Sequence, residues 1–213
     1  MKAVPTGGAL GAEIEGVDLA VDLSSEVINQ IRNALLEYGV IFFRDQVLDV
    51  EAHKRLARHF GRIFIHPFFV AGDDPEMLII HRKPGDTSIV GFEWHSDTTM
   101  AIEPPMGSIL YAIKTPPVGG DTMFSNMEIA YEPLDNKIKE KIESKTAIHS
   151  SLGAAAFVEK YEKMKGNGNI DEYSNVHPVL RTHPETGKKI LYVNSMYTKK
   201  ILDMDEKESD EGS

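Results

Sequence analysis

The chain has 213 residues, of which 41% are hydrophobic, a formal net charge of −10 and no cysteine. This length and apolar content suit one globular domain with a substantial core. The acidic balance argues against nucleic-acid and anionic-membrane partners, which reward a basic face. Without cysteine, disulfides, zinc thiolates, iron–sulfur clusters and thiol nucleophiles are excluded, so any metal must sit on nitrogen and oxygen.

The stretch from Met1 to Leu19 lacks a basic segment followed by a continuous apolar run, and no window approaches the roughly 18 apolar residues of a membrane span. A soluble cytoplasmic protein is therefore expected. Ser24 is placed to cap a helix over 25–38, in which Val27, Ile31, Leu35 and Tyr38 recur at helical spacing before Gly39 stops it. Val40 to Phe43 reads as a buried strand. Asp49 then caps a second helix that turns Leu56, Ala57 and Phe60 inward and ends at Gly61.

Strand signals follow at Met77 to His81, Gly107 to Ala112, Thr122 to Phe124, Val176 to Thr182 and Lys189 to Val193, separated by connections rich in proline and glycine. Met127 to Ser144 and Ala154 to Lys165 read as helical insertions, and His183 to Gly187 as the turn of a hairpin. Strands that do not alternate with helices suit a mainly β jelly roll of the cupin kind better than a doubly wound parallel sheet. One domain over 1–213 is expected. Its last stretch, 203–213, is rich in acidic residues and reads as a solvated end.

The chemistry centres on Trp94-His95-Ser96-Asp97. In an extended segment residues i and i+2 share a face, so His95 and Asp97 can point at one ion. An imidazole and a carboxylate hold Fe(II) while leaving coordination positions open for oxygen chemistry. The same spacing in His183-Pro184-Glu185 falls in a Pro/Gly-rich turn and reads as solvated turn chemistry. His53 and His59 read as surface residues of the second helix, and His81 and His149 as structural hydrogen-bonding groups at strand ends. His66, among Phe64, Ile65, Pro67, Phe68 and Phe69, is either a satisfied core histidine or part of an anion pocket. Gly119-Gly120-Asp121-Thr122 is either a plain tight turn or a close backbone approach to a bound carboxylate.

Taken together, six stretches resemble the taurine and 2,4-dichlorophenoxyacetate dioxygenase family in order and approximate spacing: GVIFFRDQ from Gly39, GRIFIHP from Gly61, WHSDTT from Trp94, PPMGSILY from Pro104, GGDT from Gly119 and HPVLRTHPETGKKILYVN from His177. The resemblance implies a double-stranded β-helix with helical insertions, His95 and Asp97 as ligands of Fe(II), Thr122 contacting the co-substrate 2-oxoglutarate, and His66 receiving the anionic group of the substrate. The implied reaction decarboxylates 2-oxoglutarate to succinate and carbon dioxide while dioxygen hydroxylates a substrate C–H bond. The implied substrate is a small organic acid, a taurine-like sulfonate or a related sulfate or ether compound. An assembly of identical chains is left open.

The sequence departs from the family pattern at two places. The taurine enzymes carry a tyrosine three residues after the substrate histidine and an asparagine four before the iron histidine, where this chain has Phe69 and Gly91. Both changes remove hydrogen-bonding groups from the substrate-binding set, each worth roughly 1–3 kcal/mol when buried. The family's third iron ligand, a late histidine, and the arginine after it that pairs with 2-oxoglutarate have no counterpart in these 213 residues. The expectation is therefore a truncated barrel lacking its C-terminal strands, with weak Fe(II) retention. The rival expectation is a non-catalytic fragment, a binding or scaffold remnant with an incomplete metal site.

Overall fold

The computed structural model describes residues 1–66, 74–81, 93–151, 173–205 and 209. The chain opens with β1 (Lys2–Pro5) and β2 (Ala12–Glu15), an antiparallel pair in which Ala3 faces Ile14. It then crosses through α1 (Ser25–Tyr38) to β3 (Ile41–Phe42), which lies parallel to β2. A parallel neighbour needs a crossover, and α1 supplies it.

The start of α1 follows from Ser24, whose side chain accepts from the Val27 amide, and its end from Gly39, which takes φ 69° and donates to the Leu35 carbonyl. The buried face is Ile28, Ile31 and Ala34, with Val27 packed beside it; of the expected Val27, Ile31, Leu35 and Tyr38, Ile31 is buried and the stripe is rotated away from Leu35 and Tyr38. Asp49 starts α2 (Val50–Phe60) by accepting from the Ala52 amide at 2.7 Å. Leu56 joins Leu19, Ile28 and Ile31 in one cluster, flanked by Ile41, Phe43 and Phe60.

The second half carries α3 (Met127–Tyr131), α4 (Asn136–Ile142), β4 (Thr146–Ser150), β5 (Ser174–Pro178), β6 (Leu180–Thr182), β7 (Lys189–Leu191) and β8 (Thr198–Ile201). Strand β4 is central between β5 and β8, antiparallel to both, with a register shift against β8 at Ile148/His149. Strands β6 and β7 form the expected hairpin, closed by His183 to Gly187, where Gly187 takes φ 71°. Ile142, Ala147, Val179, Ile201 and Met204 make a second core cluster.

Several sequence expectations are corrected. Residues 77–81, 107–112 and 122–124 form no strand. There apolar side chains are turned outward, Ile80 at 70%, Leu110 at 76% and Met123 at 74% exposure. The expected strand over 176–182 divides at Val179, and the helix over 127–144 divides into α3 and α4. Strands β1, β2 and β8 were not anticipated, and of β4 only a strand end at His149 was. Within 203–213, Met204 is buried in the second core cluster and the Ser209 hydroxyl accepts from the Ile201 amide at 2.8 Å, so this stretch is not wholly solvated. The expected helix over 154–165 lies outside the described residues.

Candidate metal centre

His95 sits in an irregular stretch and Asp97 begins the turn that follows, so neither is on a strand. Their side chains nevertheless converge, His95 Nε2 lying 3.3 Å from Asp97 Oδ1. Each is held from behind. His95 Nδ1 lies 2.7 Å from the Glu93 carbonyl, which can only accept, so Nδ1 carries the proton. In the neutral ring the lone pair is then on Nε2, facing the carboxylate. Ser108 donates its hydroxyl to Asp97 Oδ2 at 2.8 Å, leaving Oδ1 toward the histidine.

This arrangement fits an ion. Two ligands at the roughly 2.0–2.2 Å typical of imidazole and carboxylate bonds, at right angles on one metal, stand about 3 Å apart. The free atoms Nε2 and Oδ1 are 3.3 Å apart, and their outward partners are the kind that fix tautomer and orientation in metal sites. Among the described residues, no group of three or more His, Asp or Glu is placed to hold a metal; His95 and Asp97 are a pair.

The electrostatics agree with the geometry. In the protonated ring Nε2–H donates to Asp97, and this bond raises the pKa of His95, against the effect of burial, with the Glu93 carbonyl assisting. The bond from His95 chiefly lowers the pKa of Asp97; burial opposes it and Ser108 adds to it. The Tyr197 ring meets His95 edge-on at 6.2 Å, and its hydroxyl is pushed up to about 12 by burial and by the charge of Asp97.

His66 is within the field of Asp97, but burial dominates and pushes it down to about 4. At neutral pH it therefore offers an N–H rather than a positive charge. Thr122 is exposed, after Gly119 and Gly120 at φ 76° and 79°, and no hydrogen bond joins it to the metal pair. Phe69 and Gly91 lie outside the described residues.

The other histidines divide as follows. His53 is a partly exposed residue of α2 whose Nε2 donates to the Ile109 carbonyl at 3.0 Å and ties α2 to the segment carrying Ser108. His59 is exposed, as expected. His81 is exposed outside any strand, so its expected place at a strand end is corrected. His183 accepts from the Glu185 and Thr186 amides within the hairpin turn, and Glu185 pairs with Arg32 at 2.7 Å. That second His-x-acid motif is turn structure.

The turn after Asp97 is unusual. Thr98 takes φ 52°, a conformation that costs a β-branched residue on the order of 1–3 kcal/mol. Its buried hydroxyl has no hydrogen-bond partner among the described residues, and neither has Nε2 of His149, which is 0% exposed. Each such orphan costs about 1–3 kcal/mol. His149 Nδ1 bonds to Thr99 Oγ1 at 2.9 Å, so both orphans flank the segment that follows the metal pair. Sequence reasoning missed Ser108, Tyr197 and Asn175. Only Ser108 lay in a recognised stretch, and its role depends on the chain folding back 11 positions to Asp97.

Comparison with known proteins places this geometry in context. Residues 2–212 match the model of the taurine catabolism dioxygenase TauD, TfdA family. An alkylsulfatase of Acinetobacter baylyi is 35% identical over 202 residues, covering 91% of this chain and 63% of the relative. An alpha-ketoglutarate-dependent sulfonate dioxygenase of Saccharomyces cerevisiae is 30% identical, covering 94% and 51%. The chain thus spans about half to two thirds of the length of these curated relatives. The crystal structure of a taurine dioxygenase from Burkholderia xenovorans superposes with a TM-score of 0.80 at 32% identity, covering 99% of this chain and 69% of that one. The fold is the cupin-type jelly roll of these structures.

Proposed function

The chain belongs to the taurine catabolism dioxygenase TauD, TfdA family, and from that premise we propose that it serves a 2-oxoglutarate-dependent dioxygenase in which His95 and Asp97 are two of the ligands of Fe(II). The observation that carries this reading is the 3.3 Å approach of Nε2 and Oδ1, with Nδ1 and Oδ2 each engaged by a second group. Bound there with 2-oxoglutarate and dioxygen, iron supplies the oxidising power for hydroxylating a C–H bond. The balanced reaction consumes 2-oxoglutarate, dioxygen and R–H, and yields succinate, carbon dioxide and R–OH.

The chain's own groups orient that chemistry. Glu93 fixes the imidazole tautomer, and Ser108 directs one carboxylate oxygen away from the metal. His66, neutral because it is buried, donates an N–H to the anionic end of the substrate. Thr122, beside two glycines that let backbone approach a ligand, contacts 2-oxoglutarate.

The proposed substrate is a small sulfonate or sulfate ester, with an alkyl sulfate preferred. Its support is the 35% identical alkylsulfatase, together with Phe69 and Gly91 at positions where the taurine enzymes carry hydrogen-bonding groups. Hydroxylation of the carbon bearing a sulfate leaves a product that collapses to an aldehyde and free sulfate. No helix among the described residues is long and apolar enough to cross a membrane. The proposal includes a cytoplasmic location and a single dioxygenase domain.

The test supplies Fe(II), 2-oxoglutarate and dioxygen with an alkyl sulfate or with taurine, and measures succinate together with released sulfate or sulfite. Sulfate release in step with succinate, lost in His95→Ala and Asp97→Ala, is expected. His66→Ala should raise KM for the sulfate ester far more than KM for 2-oxoglutarate, and equal effects would remove His66 from the substrate site. A second reading, a binding module with a vestigial metal pair, is favoured by the two-legged site among the described residues. Metal binding without succinate formation under any of these conditions would select it.

A further inference from the structure

We propose that His149, Asn175 and His177 form a latch that positions the Asp97 carboxylate from behind. The proposal rests on the metal reading above and extends it to residues that touch neither metal nor substrate.

The register of the sheet brings the three together. His149 on β4 is the direct partner of Asn175 on β5, and His177 is two residues further along β5, so all three project from one face. That face meets three consecutive residues of the turn after Asp97. His149 Nδ1 bonds Thr99 Oγ1 at 2.9 Å, Asn175 Nδ2 donates to the Met100 carbonyl at 2.7 Å, and His177 Nε2 donates to the Ala101 carbonyl at 2.8 Å. The two imidazoles also meet edge-on at 5.5 Å, with Tyr192 packed against both, which stiffens the set.

Between these anchors and Asp97 stands only Thr98, at φ 52°. A β-branched residue persists there only when its surroundings over-determine it. The latch provides that constraint, and the Ala101 amide closes the turn onto the Thr98 carbonyl at 2.9 Å. Rotation about this one residue sets where the Asp97 carboxylate points relative to Nε2 of His95. With the latch slack, Thr98 relaxes toward negative φ and the carboxylate leaves its 3.3 Å approach.

The experiment measures Mn(II) affinity of the protein by electron paramagnetic resonance of the free ion, alongside thermal unfolding. His177→Ala should weaken Mn(II) binding about tenfold, the lower end of the effect of removing an outer partner of a metal ligand. His177→Gln keeps an N–H able to reach the Ala101 carbonyl and should bind nearly as the parent does. Introducing Thr98→Gly into His177→Ala should recover part of the affinity, because glycine adopts positive φ without steric cost. A merely structural role would lower the unfolding temperature without separating the alanine and glutamine variants in Mn(II) affinity. Asn175→Ala, which deletes one hydrogen bond, serves as the second variant if His177→Ala does not fold. Parental affinity in both Asn175→Ala and His177→Ala would overturn the latch. Mn(II) binding that survives His95→Ala unchanged would instead overturn the metal reading beneath it.

Discussion

In residues 1–60 each helix is begun by the side chain just before it, Ser24 for α1 and Asp49 for α2, and the two pack through Ile28, Ile31 and Leu56 onto one cluster. Between 93 and 124 there is no helix and no strand, and the conformation is imposed from a distance by Ser108 on Asp97 and by His149, Asn175 and His177 on residues 99–101. The first region spends its side chains on burial. The second holds Thr98 at positive φ with a hydroxyl unpartnered among the described residues, and leaves Leu110 and Val118 in solvent. On the proposed metal reading, stability and chemistry are separated along the chain, and substitutions should separate them too.

The largest effect is expected from Ile31→Ala, which empties a site that is 1% exposed. Urea unfolding should show a loss of roughly 2–5 kcal/mol, while Mn(II) affinity measured below the transition stays at the parental value. A metal site weakened in proportion to stability would break the proposed separation.

The next test lies beside the second region, at His149. Burial, with the nearby His177, depresses its pKa to about 4, so the ring is neutral in folded and unfolded chains above the ordinary value of 6.5. As pH falls from 6.5 to 4 the unfolded chain takes up the proton first. Stability therefore declines by about 1.4 kcal/mol per pH unit, some 3 kcal/mol in all, and levels off below the folded pKa. A ring titration followed by NMR should place His149 near 4, and a titration near 6.5 would remove this contribution.

What the sequence revealed follows the same division. Ser24, Gly39, Asp49 and the apolar spacing of α1 and α2 act within a few residues, so those helices were legible to the residue. Strands β1, β2, β4 and β8 are four or five residues long and owe their existence to partners, so no local periodicity announced them. Conversely, the apolar runs at 77–81, 107–112 and 122–124 carried a strand pattern without forming a ladder. Spacing and family order singled out His95 and Asp97 as candidates, but the extended segment expected to align them is an irregular stretch running into a turn. Ser108 and Asn175 act over 11 and 75 positions, a separation that no window of sequence reports.

A smaller effect sharpens the comparison from within the second region. Ser108→Ala removes the donor to Asp97 Oδ2 and should weaken Mn(II) binding about tenfold, with the urea midpoint nearly unchanged. The smallest is Ser24→Ala, which removes the cap of α1 and should cost about 1 kcal/mol of stability, with no change in Mn(II) affinity.

The central claim, that His95 and Asp97 converge on one ion, is tested most directly by titrating Mn(II) into the protein and into His95→Ala and Asp97→Ala. The account predicts binding in the parent that falls by more than the roughly 10–100-fold expected for an outer partner in each variant, while their melting curves match the parent's. Equal Mn(II) binding in all three proteins would contradict it.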